Sequence, residues 1–175
     1  SEDPDKRNVV RVLMVSRMLW DKGIAELVEA SRILKKRDVS VEFVLAGTVD
    51  EGNPSSVQPR ALREWEEEGL LVWPGFVDDI PRLLGTSDIV ILPSKYREGV
   101  PRSLIEAAAA GKPLISTEVP GCTDIVQDGY NGKLVPVGDA VALADALEEL
   151  VLDPRKRIAM GAAGRELVVQ KFSSS

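Results

Sequence analysis

Residues 9–15 read VVRVLMV, an apolar run without in-and-out alternation, as expected of a strand covered on both faces. Short apolar runs of the same kind recur at 41–46, 70–73, 89–92 and 114–116, and each predicts another strand. Between the first two the period changes. Ile24, Leu27, Val28, Ser31 and Leu34 return at helical spacing, and Lys35-Lys36-Arg37 follow where cations suit a helix C-terminus. A charged helix is predicted over 61–68, a small one over 80–84, one starting at Pro101, and two more over 141–152 and 154–170. Residues 48–59, with Gly52, Asn53, Pro54 and two serines, read as a mobile loop.

Strands that alternate with helices, and that are apolar on both faces, predict an α/β domain: a Rossmann-like, doubly wound parallel sheet with right-handed crossovers. In such a sheet ligands bind beyond the carboxyl ends of the strands. Arg17, Gly47, Gly75, Glu98 and Gly121 each follow a predicted strand closely, so one crevice can collect them.

Composition narrows the chemistry. The 175 residues are 44% hydrophobic and 29% charged, an ordinary soluble balance for one domain, and no apolar run or leader pattern suggests a membrane span or signal peptide. A net charge of −6 offers no general attraction to nucleic acid. With no histidine and one cysteine, Cys122, the chain lacks the residues for a Ser-His-Asp triad, an internal disulfide or most transition-metal sites, and it reads as cytoplasmic. Neither GxGxxG nor GxxxxGK[ST] occurs. Asp3-Pro4-Asp5 spells an acid-x-acid pattern, but ahead of any strand, so no metal site is expected. Asp78-Asp79 fits an N-cap better than a ligand set.

The richest segment is REGVPRSLIEAAAAGKP, residues 97–113. A helix opening on Gly99-Val100-Pro101 presents unpaired amides and a positive dipole end, which together suit phosphate. Glu98 and Glu106 flank this anion site and are expected to read neutral hydroxyls of a sugar or ribose, because an ionised carboxylate only accepts hydrogen bonds. Arg17 and Lys22, at the first strand-to-helix turn, could clamp a diphosphate from the opposite side. Gly75-Phe76-Val77 reads equally as a plain turn or as a backbone ribbon against which a flat base could lie. Gly121-Cys122 and Gly129-Tyr130-Asn131-Gly132 read as turns first.

Together with SRMLWDKG, LAG, GFVDDI, SDIVILPS and PGCTDIVQDGYNGKLVP, the run EGVPRSLIEAAAAGKPLI resembles the retaining glycosyltransferases of family four, which have the GT-B fold, and within them the capsule and O-antigen branch. The resemblance covers nearly the whole chain and implies the C-terminal, donor-binding half of a GT-B enzyme. On that resemblance residues 1–8 are an interdomain linker, 9–171 the nucleotide-sugar domain and 172–175 a truncated end. The expected donor is a nucleotide sugar, a UDP-sugar first, with no metal or other cofactor. The expected partners are the missing N-terminal domain and a glycan or lipid-linked acceptor at the inner face of the membrane. Arg17 and Lys22 become the diphosphate clamp, and Glu98 lies near the donor sugar. Glu106 accepts from ribose hydroxyls, and amides of Ser103 and Leu104, beyond Gly99 and Val100, face the phosphates. Gly47, Gly75, Phe76 and Val77 border the nucleotide. One departure is the Gly121-Cys122…Asp124 loop, where many relatives carry two adjacent glycines and then a glutamate. Two other readings stay open: a non-catalytic nucleotide-binding module on the same scaffold, and an NAD-dependent oxidoreductase, which the missing glycine fingerprint disfavours.

Overall fold

A computed structural model describes residues 9–172. Six parallel strands, β1 (Val10–Val15), β2 (Val41–Ala46), β3 (Val72–Gly75), β4 (Ile89–Leu92), β5 (Leu114–Thr117) and β6 (Gly132–Val135), lie in the order β3-β2-β1-β4-β5-β6. The chain first walks outward from β1 to β3, then returns to the middle and walks the other way from β4 to β6. Right-handed crossovers running in opposite directions put helices on both faces of the sheet. Val12, Leu13 and Met14 of β1 and Ile89, Val90 and Ile91 of β4 are fully buried, which is why these strands read as unbroken apolar runs.

The expected elements are present within a residue or two. They are α1 (Ile24–Lys36), α2 (Pro59–Glu67), α3 (Ile80–Gly85), α4 (Arg102–Ala109), α6 (Ala140–Val151) and α7 (Pro154–Phe172), besides a short α5 (Cys122–Ile125). The five periodic residues of α1 are all buried, and α1 packs on α6 while α4 packs on α7. Asp79 caps α3 by accepting from the Arg82 amide at 3.1 Å, as expected.

Four local expectations change. The helix expected to start at Pro101 starts at Arg102, with Pro101 just outside it at φ −78° and ψ 74°. The strand expected over 70–73 is shifted: Leu70 and Leu71 are buried lead-in, and β3 runs on through Pro74, tolerable because an edge strand needs no inner amide there. The sequence pattern does not predict β6. Its four residues begin with Gly132, whose backbone lies against Leu114 of β5 so closely that a Cβ would strike the Leu114 carbonyl.

The expected mobile loop over 48–59 is instead tied down. Met18 and Thr48, Trp20 and Ser55, and Val57 and Met18 are joined by backbone bonds of 2.8 Å, and the Ser55 hydroxyl donates to Asp21 at 2.8 Å. Asp50, Asn53 and Ser56 bond among themselves inside the loop, so its polar residues serve as internal partners rather than as solvent contacts. The expected linker at 1–8, with Asp3-Pro4-Asp5, and residues 173–175 lie outside the described residues.

Candidate functional site

The strand order reverses between β1 and β4, and the segments that leave their carboxyl ends must diverge, opening a crevice. Its inner part, a cavity of about 320 Å3, is lined by Arg17, Lys22, Glu98, Val100, Pro101, Arg102, Ser103 and Glu106, among others. A second cavity of about 310 Å3 is lined by Gly47, Thr48, Phe76 and Val77, and shares Val15, Ser16, Arg17 and Ile80 with the first. The two adjoin along those four residues. Residues drawn from four strand ends and the starts of α3 and α4 thus border one groove.

Lys22 arrives on a single turn of 3-10 helix, Trp20–Lys22, closed by Gly23 at φ 80°. Its Nζ donates to both oxygens of Glu98, at 2.9 and 3.1 Å. The Ser94 hydroxyl donates to Glu98 Oε1 at 2.6 Å. The Glu98 amide donates to the Pro120 carbonyl at 2.9 Å. Gly121 stands at φ 93° with its Cα against the backbone of Glu98, where any Cβ would overlap the Glu98 carbonyl. The Gly121-Cys122 turn therefore serves the site by close approach, and this accounts for a glycine at that position. The Glu98 side chain is only 12% exposed.

The sequence reading has Glu98 and Lys22 each facing the ligand alone. Instead they form an ion pair, which removes the repulsion a bare carboxylate would exert on a phosphate. Lys22 keeps one of its three N–H donors for another acceptor. Arg17 also has an acid partner, Asp50, at 3.0 Å, but its side chain is 61% exposed. An exposed pair of this kind contributes about 0–1 kcal/mol and yields readily to a better anion.

The start of α4 differs from expectation in one respect. The Leu104 amide already donates to the Pro101 carbonyl at 3.0 Å, and the Leu104 side chain is buried in the core. Its amide is thus already engaged, whereas Ser103, the other residue expected to face the phosphates, lines the crevice. Gly99 follows Glu98 but lines neither cavity, and Gly75 likewise sits at the end of β3 behind Phe76. Glu106 faces the crevice from the second turn of α4, exposed. Phe76 is 72% exposed at the rim, an unusual position for a phenyl ring without a partner.

Below the pair lies Cys122, fully buried. Burial pushes its thiol up from the ordinary range, against a hydrogen bond with Ser116, and the nearby Glu98 charge adds to the rise. Such a thiol is inert packing rather than a nucleophile.

Sequence reasoning missed Ser94, Ile80, Arg102 and Asp50. Only Ser94 left a signal, a polar residue closing the apolar run of β4.

The family profile described as "Glycosyl transferases group 1" matches residues 2–167. The chain belongs to that family. The N,N'-diacetylbacillosaminyl-diphospho-undecaprenol alpha-1,3-N-acetylgalactosaminyltransferase of Campylobacter jejuni is 36% identical over 154 residues, 88% of this chain and 38% of that protein. The crystal structure of Anabaena Alr3699/HepE in complex with UDP and glucose superposes on this group 1 glycosyltransferase domain with a TM-score of 0.83 at 26% identity, over 94% of this chain and 45% of that one. The C-terminal domain of the group 1 protein LpcC from Francisella tularensis superposes with a TM-score of 0.78 at 26% identity, over 95% of this chain and 87% of that one. The group 1 domain spans about two-fifths of the length of the curated relatives it matches. The Rossmann-like fold expected of one half of a GT-B enzyme is the one observed. Among the described residues no helix is long and apolar enough to cross a membrane.

Proposed function

We propose that this domain is the nucleotide-sugar-binding half of a metal-independent, retaining glycosyltransferase of family four that builds bacterial surface polysaccharide of the capsule or O-antigen type. The single observation that carries the reading is the convergence of Arg17, Lys22 and the first turn of α4 on one crevice at the strand-order reversal. Two cations and a helix N-terminus suit a diphosphate. The adjoining rim at Gly47, Phe76 and Val77 suits a flat base, and Glu106 suits ribose hydroxyls. The bound UDP of the Anabaena structure supports a uridine nucleotide as the first donor to try. The lipid diphosphate in the name of the Campylobacter relative supports a lipid-linked acceptor. The working site is then the cytoplasmic face of the membrane, with an N-terminal domain supplying the acceptor side.

As the sugar-phosphate bond breaks, negative charge collects on the departing diphosphate. Arg17 and the spare N–H of Lys22 stabilise it in place of a metal ion. Glu98, held beside them, accepts from a hydroxyl of the sugar. The incoming hydroxyl attacks from the face the diphosphate leaves and passes its proton to the departing phosphate oxygen, so configuration is retained without a protein nucleophile. Calorimetry with UDP, GDP and ADP on the 175-residue chain tests the reading. Saturable binding of UDP with no sugar transfer by the isolated domain is expected, and no heat with any of the three at millimolar ligand would refute it.

A further inference from the structure

Ser94 is buried, with 2% exposure, and lines neither cavity of the crevice. It nonetheless makes the shortest contact to Glu98, 2.6 Å from its hydroxyl to Oε1. A hydroxyl has one proton, and two other acceptors compete for it, the Tyr96 carbonyl at 3.2 Å and the Asp21 carbonyl at 3.4 Å. The charged oxygen at the shorter distance takes it. The backbone of Ser94 is fixed in turn, because the Thr117 hydroxyl at the end of β5 donates to the Ser94 carbonyl.

Counting donors on Glu98 gives an asymmetry. Oε1 accepts from both Ser94 and Lys22, at 2.6 and 2.9 Å, whereas Oε2 accepts from Lys22 alone, at 3.1 Å. The more weakly used Oε2 keeps the free acceptor capacity. We infer that Ser94 is a positioning residue: through Oε1 it locks the Glu98 carboxylate so that Oε2 is the oxygen offered to the donor's sugar. Without Ser94 the carboxylate keeps its ammonium partner but can rotate about its last torsion, which is broad and nearly two-fold. Both oxygens then compete for Lys22, and the sugar contact loses its fixed acceptor.

The inference rests on the donor-binding reading, and a double-mutant cycle separates the two. Ser94→Ala, Glu98→Gln and the combination are compared with the unaltered 175-residue chain for binding of UDP and of a UDP-sugar that it takes. Ser94→Ala should weaken the UDP-sugar about tenfold, as for a lost hydrogen bond to a charged group, and leave UDP within about twofold. In the Glu98→Gln background the same change should have a clearly smaller effect on the sugar increment, because only a neutral hydrogen bond to the amide oxygen is left to lose. Equal losses for UDP and UDP-sugar, or an undiminished effect of Ser94→Ala in the Glu98→Gln background, would overturn the positioning role. If the unaltered chain binds neither ligand, the donor-binding reading fails instead. Should Ser94→Ala not fold, Ser94→Cys keeps a side chain of similar size with a weak donor, and it should reproduce the same selective loss.

Discussion

Two cation-acid pairs stand at the crevice, one reached through Lys22 and one through Arg17, and they are built in opposite ways. In one pair Lys22 and Glu98 are joined by two bonds, backed by Ser94 and pressed by Gly121, and both side chains are mostly covered. In the other, Arg17 reaches Asp50 through one bond at the surface of a loop, with the bare ring of Phe76 nearby. Charges with low exposure and several partners are fixed before any ligand arrives, and they interact in a less water-like medium. An exposed guanidinium is free to exchange partners. The first pair therefore suits a reacting centre that must be placed in advance, and the second suits a grip that closes on whatever anion enters.

The contrast can be broken most severely from both sides at once. Replacing Arg17 and Lys22 together by alanine in a full-length parent enzyme should lower kcat/KM for the nucleotide sugar by at least about a thousandfold, since a single oxyanion-type contact contributes roughly 10²–10³. Steady-state kinetics would reveal it, and unchanged turnover would remove the clamp.

Gly121→Ala should come next. It forces a side chain into the Glu98 carbonyl at a φ of 93°, so a loss of stability of about 1–3 kcal/mol is expected together with reduced sugar binding. Thermal melts alongside calorimetry would detect both. The same change at Gly52, also left-handed but open on all sides, should cost only the backbone strain and leave binding alone.

Smaller still is Asp50→Ala in the exposed pair. Freeing Arg17 should shift UDP affinity by no more than about threefold, and losing the Arg17 and Asn53 bonds together should lower stability by about 1–2 kcal/mol. A larger effect in either would show that this pair is held as firmly as the other.

The smallest expected signal is a pH dependence. Cys122 keeps its proton longer when folded than when unfolded, because burial opposes the thiolate. A raised folded value means that this contribution is complete below the ordinary thiol range and is lost as pH rises through the higher folded value. Chemical denaturation at increasing alkaline pH should show that decline, and Cys122→Ala should flatten it.

Much of this was legible in the chain. Apolar runs without alternation revealed the central strands because those strands are buried on both faces, and α1 revealed itself through five buried positions at helical spacing. Placing Arg17, Lys22, Glu98 and Ser103 on one crevice needed only the strand ends and the helix start. The edges were harder. β6 has four residues, a leading glycine and a lysine, so its pattern is indistinguishable from a turn until β5 is there to pair with it. The loop at 48–59 looked mobile because glycine, asparagine and serine favour turns, yet their side chains bond to each other and to Asp21. Pairing between acids and cations was also hidden, since Lys22 and Glu98 are 76 positions apart.

That separation governs when the crevice comes into being. Lys22 follows β1 and Glu98 follows β4, so the ion pair waits on the junction of the two lobes of the sheet, a long-range closure that is slow to form. The three strands that precede β4 in the chain carry Arg17 and the rim at Phe76 and Val77, but the lysine-glutamate pair also needs the segment after β4. On the donor-binding proposal, a nucleotide sugar would meet its lysine-glutamate contact only once both lobes of the sheet have joined.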